Sequence, residues 1–333
     1  MAQDDKTKSR ADEMVAALAT RPEQIQHDYD VIQLPRILDT PGARLINYKG
    51  CYLPELAAPS LKELEDFQFY ESDVLICGFP KTGTTWMEEI VYQVLNEDDD
   101  PSDPNRRILK ERCPLLENFV EGLPVLNERN PPRFMKSHLH YQAMPESFHE
   151  TKPKVIYTIR NPKDNLISFY HYLRMTKFSF MQLGLYGGSG YEGTLQQIFS
   201  TYAEGKMVYG PFWQHVSGFW NQRNSGHVLC VAYEELQKDF TKEVSRIAKF
   251  LGVPLSESRL QQIRRGSSFS TMKQNKSTDH QWEPKFDYTK GHFFRKGTVG
   301  DWKSQLSEKQ SREIEDLVAK ELQPLGVNFC YEI

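Results

Sequence analysis

Cys77-Gly78-Phe79-Pro80-Lys81-Thr82-Gly83-Thr84-Thr85-Trp86 is the stretch on which the fold of this chain turns. Asp73-Val74-Leu75-Ile76 precedes it, a short apolar run with β-branched residues that reads as a buried strand. Residues 87–95 follow, with apolar side chains recurring at helical spacing. A strand, a turn rich in Gly and Thr, and a helix start together make an anion site. The turn's N–H groups and the positive end of the helix dipole converge on one point. Gly78 and Gly83 keep the G-x-x-x-x-G spacing of a nucleotide-triphosphate loop, but Thr84 stands where the Lys should follow. The one Lys of the stretch, Lys81, lies before Gly83 instead. No apolar strand ends in an acidic residue suited to hold Mg²⁺. The expectation is a phosphate-bearing donor bound without a metal. The alternative is a tight strand-to-helix turn with a solvated Lys.

Composition narrows the classes. At 333 residues the chain fits a single large α/β unit, with 1–34 as a polar extension and 35–333 as the domain. A net charge of −4 implies no polyanion-binding field, so nucleic acid is not expected as the partner. No apolar run approaches a membrane span, and Met1-Ala2-Gln3-Asp4-Asp5-Lys6 lacks the apolar core of a signal peptide. The five cysteines are scattered without metal-ligand spacing and read as reduced thiols, pointing to a cytoplasmic protein. The acidic loop 96–104 lacks the Gly and terminal Glu of a calcium loop and reads as solvated surface. The stretch 11–20 suits a peripheral amphipathic helix, and the Gly-rich 183–193 a mobile loop.

Further strands are expected at 74–79, 134–137, 154–159 and 228–233, alternating with helices, and 267–300 reads as loop. That alternation predicts a central parallel β-sheet covered by helices on both faces, with a loop of the phosphate-binding kind at its edge. Lys81, Lys136, His138, Arg160 and Tyr233 then all fall at or just beyond strand carboxyl ends, where open α/β sheets bind ligands. Arg160 suits bidentate contact with a second phosphate, or a plain carboxylate pair. Arg295-Lys296-Gly297 adds two cations and a Gly that admits a close backbone approach. Trp86 offers a flat face for a base, or a core aromatic. His138 is the candidate base, since an imidazole near its free pKa takes a proton from a hydroxyl at neutral pH. Lys136, two residues earlier, points to the same side of an extended segment and can steady a transferring group.

Taken together, Phe79-Pro80-Lys81-Thr82-Gly83-Thr84-Thr85-Trp86, Lys136-Ser137-His138, Arg160-Asn161-Pro162-Lys163-Asp164 through Ser168, Tyr233-Glu234-Glu235, and 295–303 (Arg-Lys-Gly-Thr-Val-Gly-Asp-Trp-Lys) resemble the cytosolic sulfotransferases. The resemblance implies a donor, 3′-phosphoadenosine 5′-phosphosulfate, whose sulfuryl group passes to a hydroxyl or amine of a small molecule without a metal. By the same resemblance Lys81, Thr82, Gly83, Thr84 and Thr85 bind the 5′-phosphosulfate, and Lys81 neutralises the leaving oxygen. Lys136 steadies the sulfuryl oxygens and His138 takes the acceptor proton. Arg160, Ser168, Arg295, Lys296 and Gly297 hold the 3′-phosphate, with Ser168 also restraining Lys81. Trp86, Tyr233, Ser267, Phe269 and Met272 surround the adenine. Phe79, Tyr172 and Phe286 are the aromatic candidates for the acceptor pocket.

The chain departs from the family pattern at Glu235, where Asp is commoner, and at His140, where Pro is. The Gly-rich 183–193 looks like an insertion beside the acceptor pocket. The family's dimer motif, Lys-x-x-x-Thr-Val-x-x-x-Glu, is not matched. From Lys303 this chain has Ser307, Glu308 and Arg312 at the remaining fixed positions, which leaves the family's usual homodimer open. A non-catalytic nucleotide binder is the competing class, against which Lys136 and His138 speak. A Mg²⁺-dependent kinase is disfavoured by the displaced Lys.

Overall fold

Four strands, β4 (Val74–Gly78), β5 (Phe134–Ser137), β6 (Lys154–Ile159) and β7 (Val228–Ala232), pair in parallel in the order β5-β4-β6-β7. The computed structural model describes residues 31–32, 45–103, 105–177, 190–280, 283 and 285–333. The stretch 11–20, the segment 183–189 and Pro104 lie outside them.

β4 is central and every one of its residues is buried, which explains its unbroken apolar run. Period two divides it. Val74 and Ile76 face a core completed by α1 (Thr84–Leu95), while Leu75 and Cys77 face the larger core lined by α2 (Pro162–Met175) and α3 (Phe212–Trp220). After β7, α4 (Tyr233–Lys238), α5 (Phe240–Leu251) and α6 (Glu257–Gly266) cover the α1 side through Leu236, Val244, Ile247, Leu260 and Ile263. On the other side α8 (Glu308–Glu321) adds Ile314 and Val318. The result is the expected single α/β domain with helices on both faces. Filling either face matters, because truncating a fully buried Leu or Ile costs ~2–5 kcal/mol.

Local chemistry sets the element ends. Asn161 caps α2 by accepting from the Asp164 N–H, and Pro162 opens the helix where no N–H is needed. Ser256 and Ser307 cap α6 and α8. The 45–53 segment forms a hairpin, β2 (Leu45–Tyr48) with β3 (Cys51–Pro54), to which β1 (Val31–Ile32) adds an antiparallel third strand.

Three expectations need correction. β4 stops at Gly78, because the loop turns there. β7 stops at Ala232, and Tyr233 opens α4 instead of ending a strand. Residues 267–300 are not all loop, since Ser268 caps α7 (Phe269–Gln274) by accepting from the Thr271 N–H. In the acidic loop, Arg106 Nε donates to Asp99 at 2.9 Å and Asp100 accepts from the Ser102 N–H at 2.8 Å.

Candidate active site

Gly83 fixes the shape of the loop. Its φ of 98° lies in the left-handed region, and a Cβ there would sit 2.7 Å from the Tyr233 ring. Lys81 also has a positive φ, 72°, which the surroundings must enforce. They do so from α2 and β6. Asn165 Nδ2 donates to the Pro80 carbonyl at 2.8 Å, and Thr82 Oγ1 donates to the Phe79 carbonyl at 2.7 Å while lying 2.9 Å from Thr158 Oγ1. No side chain caps α1, so its leading N–H groups stay open to an anion.

Cations surround this seat. Among the described residues the Lys81 ammonium has no carboxylate partner; it rests 4.4 Å from the Tyr172 ring centre and 4.1 Å from that of Phe293. Burial, followed by the charges of Arg160, Lys136, Arg295 and Lys285, pushes its pKa down to about 7. Arg160, 8 % exposed, lies over Tyr233 at 4.3 Å and donates to the carbonyls of Lys81 at 3.4 Å and Thr298 at 3.2 Å. Its Nε is buried without a partner. Arg295 and Lys296 both pair with Asp301, Arg295 at 2.6 Å.

Further groups lie around Trp86. Its ring stands edge-on to Tyr233 at 5.6 Å, and its Nε1 is buried without a partner. Gln237 ties two walls together, donating to the Gly297 carbonyl at 2.9 Å and the Tyr233 hydroxyl at 3.0 Å. Gly297, at φ 69°, admits the Phe269 ring, which a Cβ would strike at 2.4 Å. An unpaired ammonium, an open helix start and two buried donors without partners fit a ligand that is both multiply anionic and aromatic.

The opposite wall carries Lys136 and His138. Lys136 reaches from β5 to the fully buried Glu88 of α1, at 3.0 and 3.1 Å. Burial works against the Lys136 charge, but Glu88 outweighs it and raises the pKa. His138 Nδ1 lies 2.6 Å from the Gly78 carbonyl, which can only accept, so Nδ1 carries the proton and Nε2 keeps its lone pair. Burial pushes the His138 pKa down to about 3; the Gly78 carbonyl opposes this, while Lys136 and Lys81 add to it. The His138 N–H donates to Glu117 Oε1 at 2.6 Å, and Ser137 Oγ donates to Oε2 at 2.9 Å. Burial raises Glu117 to about 7. His215 Nε2–H donates to the His138 carbonyl at 3.0 Å, and its Nδ1 accepts from the Tyr157 hydroxyl at 2.9 Å.

Lys81, Lys136, His138, Arg160, Trp86 and Tyr233 are thus gathered at one sheet edge. Other expected residues are placed differently. Phe79 is fully buried, edge-to-face with Phe169, Tyr202 and Phe212, and presents no surface to an acceptor; it is a core residue. Ser168 is half-buried on α2, and no hydrogen bond joins it to Lys81, whose ammonium lies over aromatic rings instead. Ser267 is fully buried and donates to the Ile263 carbonyl at 2.7 Å, and Met272 is buried too, whereas Phe269 is 38 % exposed. Tyr172 and Phe286 meet edge-to-face at 5.8 Å. His140 is buried and donates to the Tyr209 carbonyl at 2.9 Å, a structural position. Glu88, Glu117, Asn165 and Gln237 were not anticipated. Glu88 carried a signal, being an acidic residue inside an otherwise apolar helix face. Among the described residues no group of three or more His, Cys, Asp or Glu is placed to hold a metal.

The chain is similar to known proteins over most of its length. A family model described as "Sulfotransferase domain" matches residues 71–326. Human sulfotransferase 1C2 is 30 % identical over 296 residues, covering 87 % of this chain and 96 % of that protein. Mouse (Mus musculus) sulfotransferase 1B1 is 33 % identical over 279 residues, covering 82 % of this chain and 90 % of that protein. Among solved structures, mouse sulfotransferase SULT7A1 complexed with PAP superposes with a TM-score of 0.65 at 26 % identity, covering 84 % of this chain and 94 % of that one. Retinol dehydratase in a complex with retinol and PAP shares the fold, with a TM-score of 0.77 at 20 % identity over 91 % of this chain and 99 % of that one.

Proposed function

Because the chain belongs to the sulfotransferase family, we propose that it moves a sulfuryl group from 3′-phosphoadenosine 5′-phosphosulfate to a hydroxyl or amine of a small molecule, in line, with His138 as base and without a metal. The observation that carries this reading is the His138–Gly78 contact, which leaves Nε2 unprotonated on the wall facing Lys81. The donor supplies an activated sulfate on a good leaving group, and the protein's own side chains do the rest. The open start of α1 and Lys81 receive the 5′ end. Arg160, Arg295, Lys296 and the Gly297 backbone receive the 3′-phosphate, with Ser168 as a further contact. Trp86, Tyr233 and Phe269 stack around the base, and Ser267 and Met272 back them.

The acceptor oxygen bonds to sulfur as its proton passes to His138 Nε2. The bond from sulfur to the phosphate oxygen breaks, and Lys81 balances the charge left there. Lys136, held at one end by Glu88, offers its remaining N–H groups to the sulfuryl oxygens. The low pKa of His138 keeps the imidazole neutral at pH 7. The negative charge of a bound donor offsets Lys81 and Lys136 and makes Nε2 more basic when it is needed. Tyr172 and Phe286 form the acceptor side. The bound PAP of SULT7A1, a relative of the same family, supports the donor, and a relative from Danio rerio named cytosolic sulfotransferase 1, 30 % identical over 305 residues, supports a cytoplasmic location.

Purified protein with labelled donor and a panel of phenols, sterols and amines should yield sulfated product with a chelator present. His138→Ala should lower kcat ~10²–10⁴-fold while adenosine 3′,5′-bisphosphate still binds. Full activity in that variant would remove His138 from the role.

A further inference from the structure

His280 belongs to no motif of the donor site, yet it sits in the same aromatic wall as the Lys81 ammonium. Its ring centre is 4.2 Å from that of Phe293, on which Lys81 rests at 4.1 Å, and 6.1 Å from Phe286. Its Nδ1 contacts the Glu283 carboxylate, which is itself buried and paired with Lys285. A carboxylate accepts, so Nδ1 carries a proton and Nε2 is the ring's remaining polar atom, on the edge away from Glu283. The His280 side chain is 9 % exposed, and its Nε2 is buried without a partner among the described residues. A second buried atom without a partner, the Tyr288 hydroxyl, belongs to the same cluster, with Tyr288 edge-to-face to Phe286 at 6.0 Å. Buried polar atoms are nearly always satisfied, so two on rings packed against the same Phe286 call for ligand groups at this wall.

We infer that His280, oriented by Glu283, is a specificity-determining residue whose Nε2 hydrogen-bonds a second hydroxyl of the acceptor. The inference rests on the sulfuryl-transfer reading of the neighbouring site. Its consequence is an acceptor class: flat apolar molecules with two hydroxyl groups, one presented to His138 and one held at His280. A hydroxyl suits the site because it donates to the Nε2 lone pair. A site built to bond a substrate hydroxyl discriminates strongly against the analogue lacking it, since the protein group is then left unpaired.

The test uses 4-alkylphenols with side chains of two to four carbons, each with and without a terminal hydroxyl. Binding of each pair is measured calorimetrically to the full chain saturated with adenosine 3′,5′-bisphosphate. For at least one length the hydroxylated probe should bind ~10-fold tighter than its plain counterpart. His280→Phe should abolish that preference, leaving the plain probe within about twofold and the bisphosphate affinity unchanged. His280→Gln, which restores a hydrogen-bonding group, should recover part of it. No preference at any length, a preference that survives His280→Phe, equal loss of both probes, or failure of every probe to bind would each overturn the inference. Should His280→Phe not fold, Glu283→Gln carries the test, and an unchanged preference there counts against it. Sulfation of the same probes is read separately, so absence of turnover with the binding preference intact would reject the transfer reading and leave this one standing.

Discussion

The anion seat at 78–86 and the aromatic wall at 280–293 meet at the Lys81 ammonium, and they are built from different materials. The seat stands on β4, β6 and the start of α1, with a backbone pinned by Asn165, Thr82 and Thr158. The wall's described residues lie in no helix or strand and are held by ring contacts and by the His280–Glu283–Lys285 chain. Regular elements repeat a geometry that many sequences can reach. A wall made by loop packing can vary while the sheet stays as it is, and it suits the choice of acceptor.

That contrast can be broken by experiment. The largest effect is expected at Glu88. Replacing it by Ala strands the half-buried ammonium of Lys136, and breaking a fully buried pair costs ~3–5 kcal/mol, which sets the upper bound. A melting curve should show the loss, and an unchanged melting temperature would mean that the seat is not structurally tied to the base wall. Gly83→Ala comes next. The left-handed φ and the 2.7 Å approach to Tyr233 make the new methyl cost ~1–3 kcal/mol, felt most in nucleotide affinity. Equal affinity in the variant would show a loop that reshapes freely, contrary to its rigid construction.

The smallest effect tests the junction itself. Lys81, lowered to about 7, is largely neutral in the free protein above that pH, and an anion binds its charged form. Bisphosphate affinity should therefore fall as pH rises from 7 to 9, by at most ~10-fold per unit, with proton uptake on binding seen by calorimetry in buffers of different ionisation enthalpy. A flat profile would mean that the aromatic wall does not keep Lys81 from solvent.

The sequence shows the donor side because its residues fall at strand carboxyl ends, and strands can be read from apolar runs. Lys81, Lys136, His138 and Arg160 are legible for that reason. Period two also had something to say about Phe79: it continues the alternation Leu75, Cys77 into the larger core, and its place beside Lys81 in the motif obscured that. The pairings that went unseen share a different property. Glu88 and Lys136 are 48 residues apart, Asn161 and Glu234 are 73, and Asn165 acts on a carbonyl 85 residues before it. Their roles exist only once the sheet has brought those segments together. Ser307, Glu308 and Arg312, at the places of the unmatched dimer motif, have local partners instead: Ser307 caps α8, and Arg312 pairs with Glu308 at 3.1 Å.

One peptide unit joins two parts of the site. The Gly78 carbonyl that holds the His138 Nδ1 proton ends the strand from which the anion seat departs. The imidazole and the seat therefore hang from one anchor. A change confined to the Gly78 peptide reaches both at once.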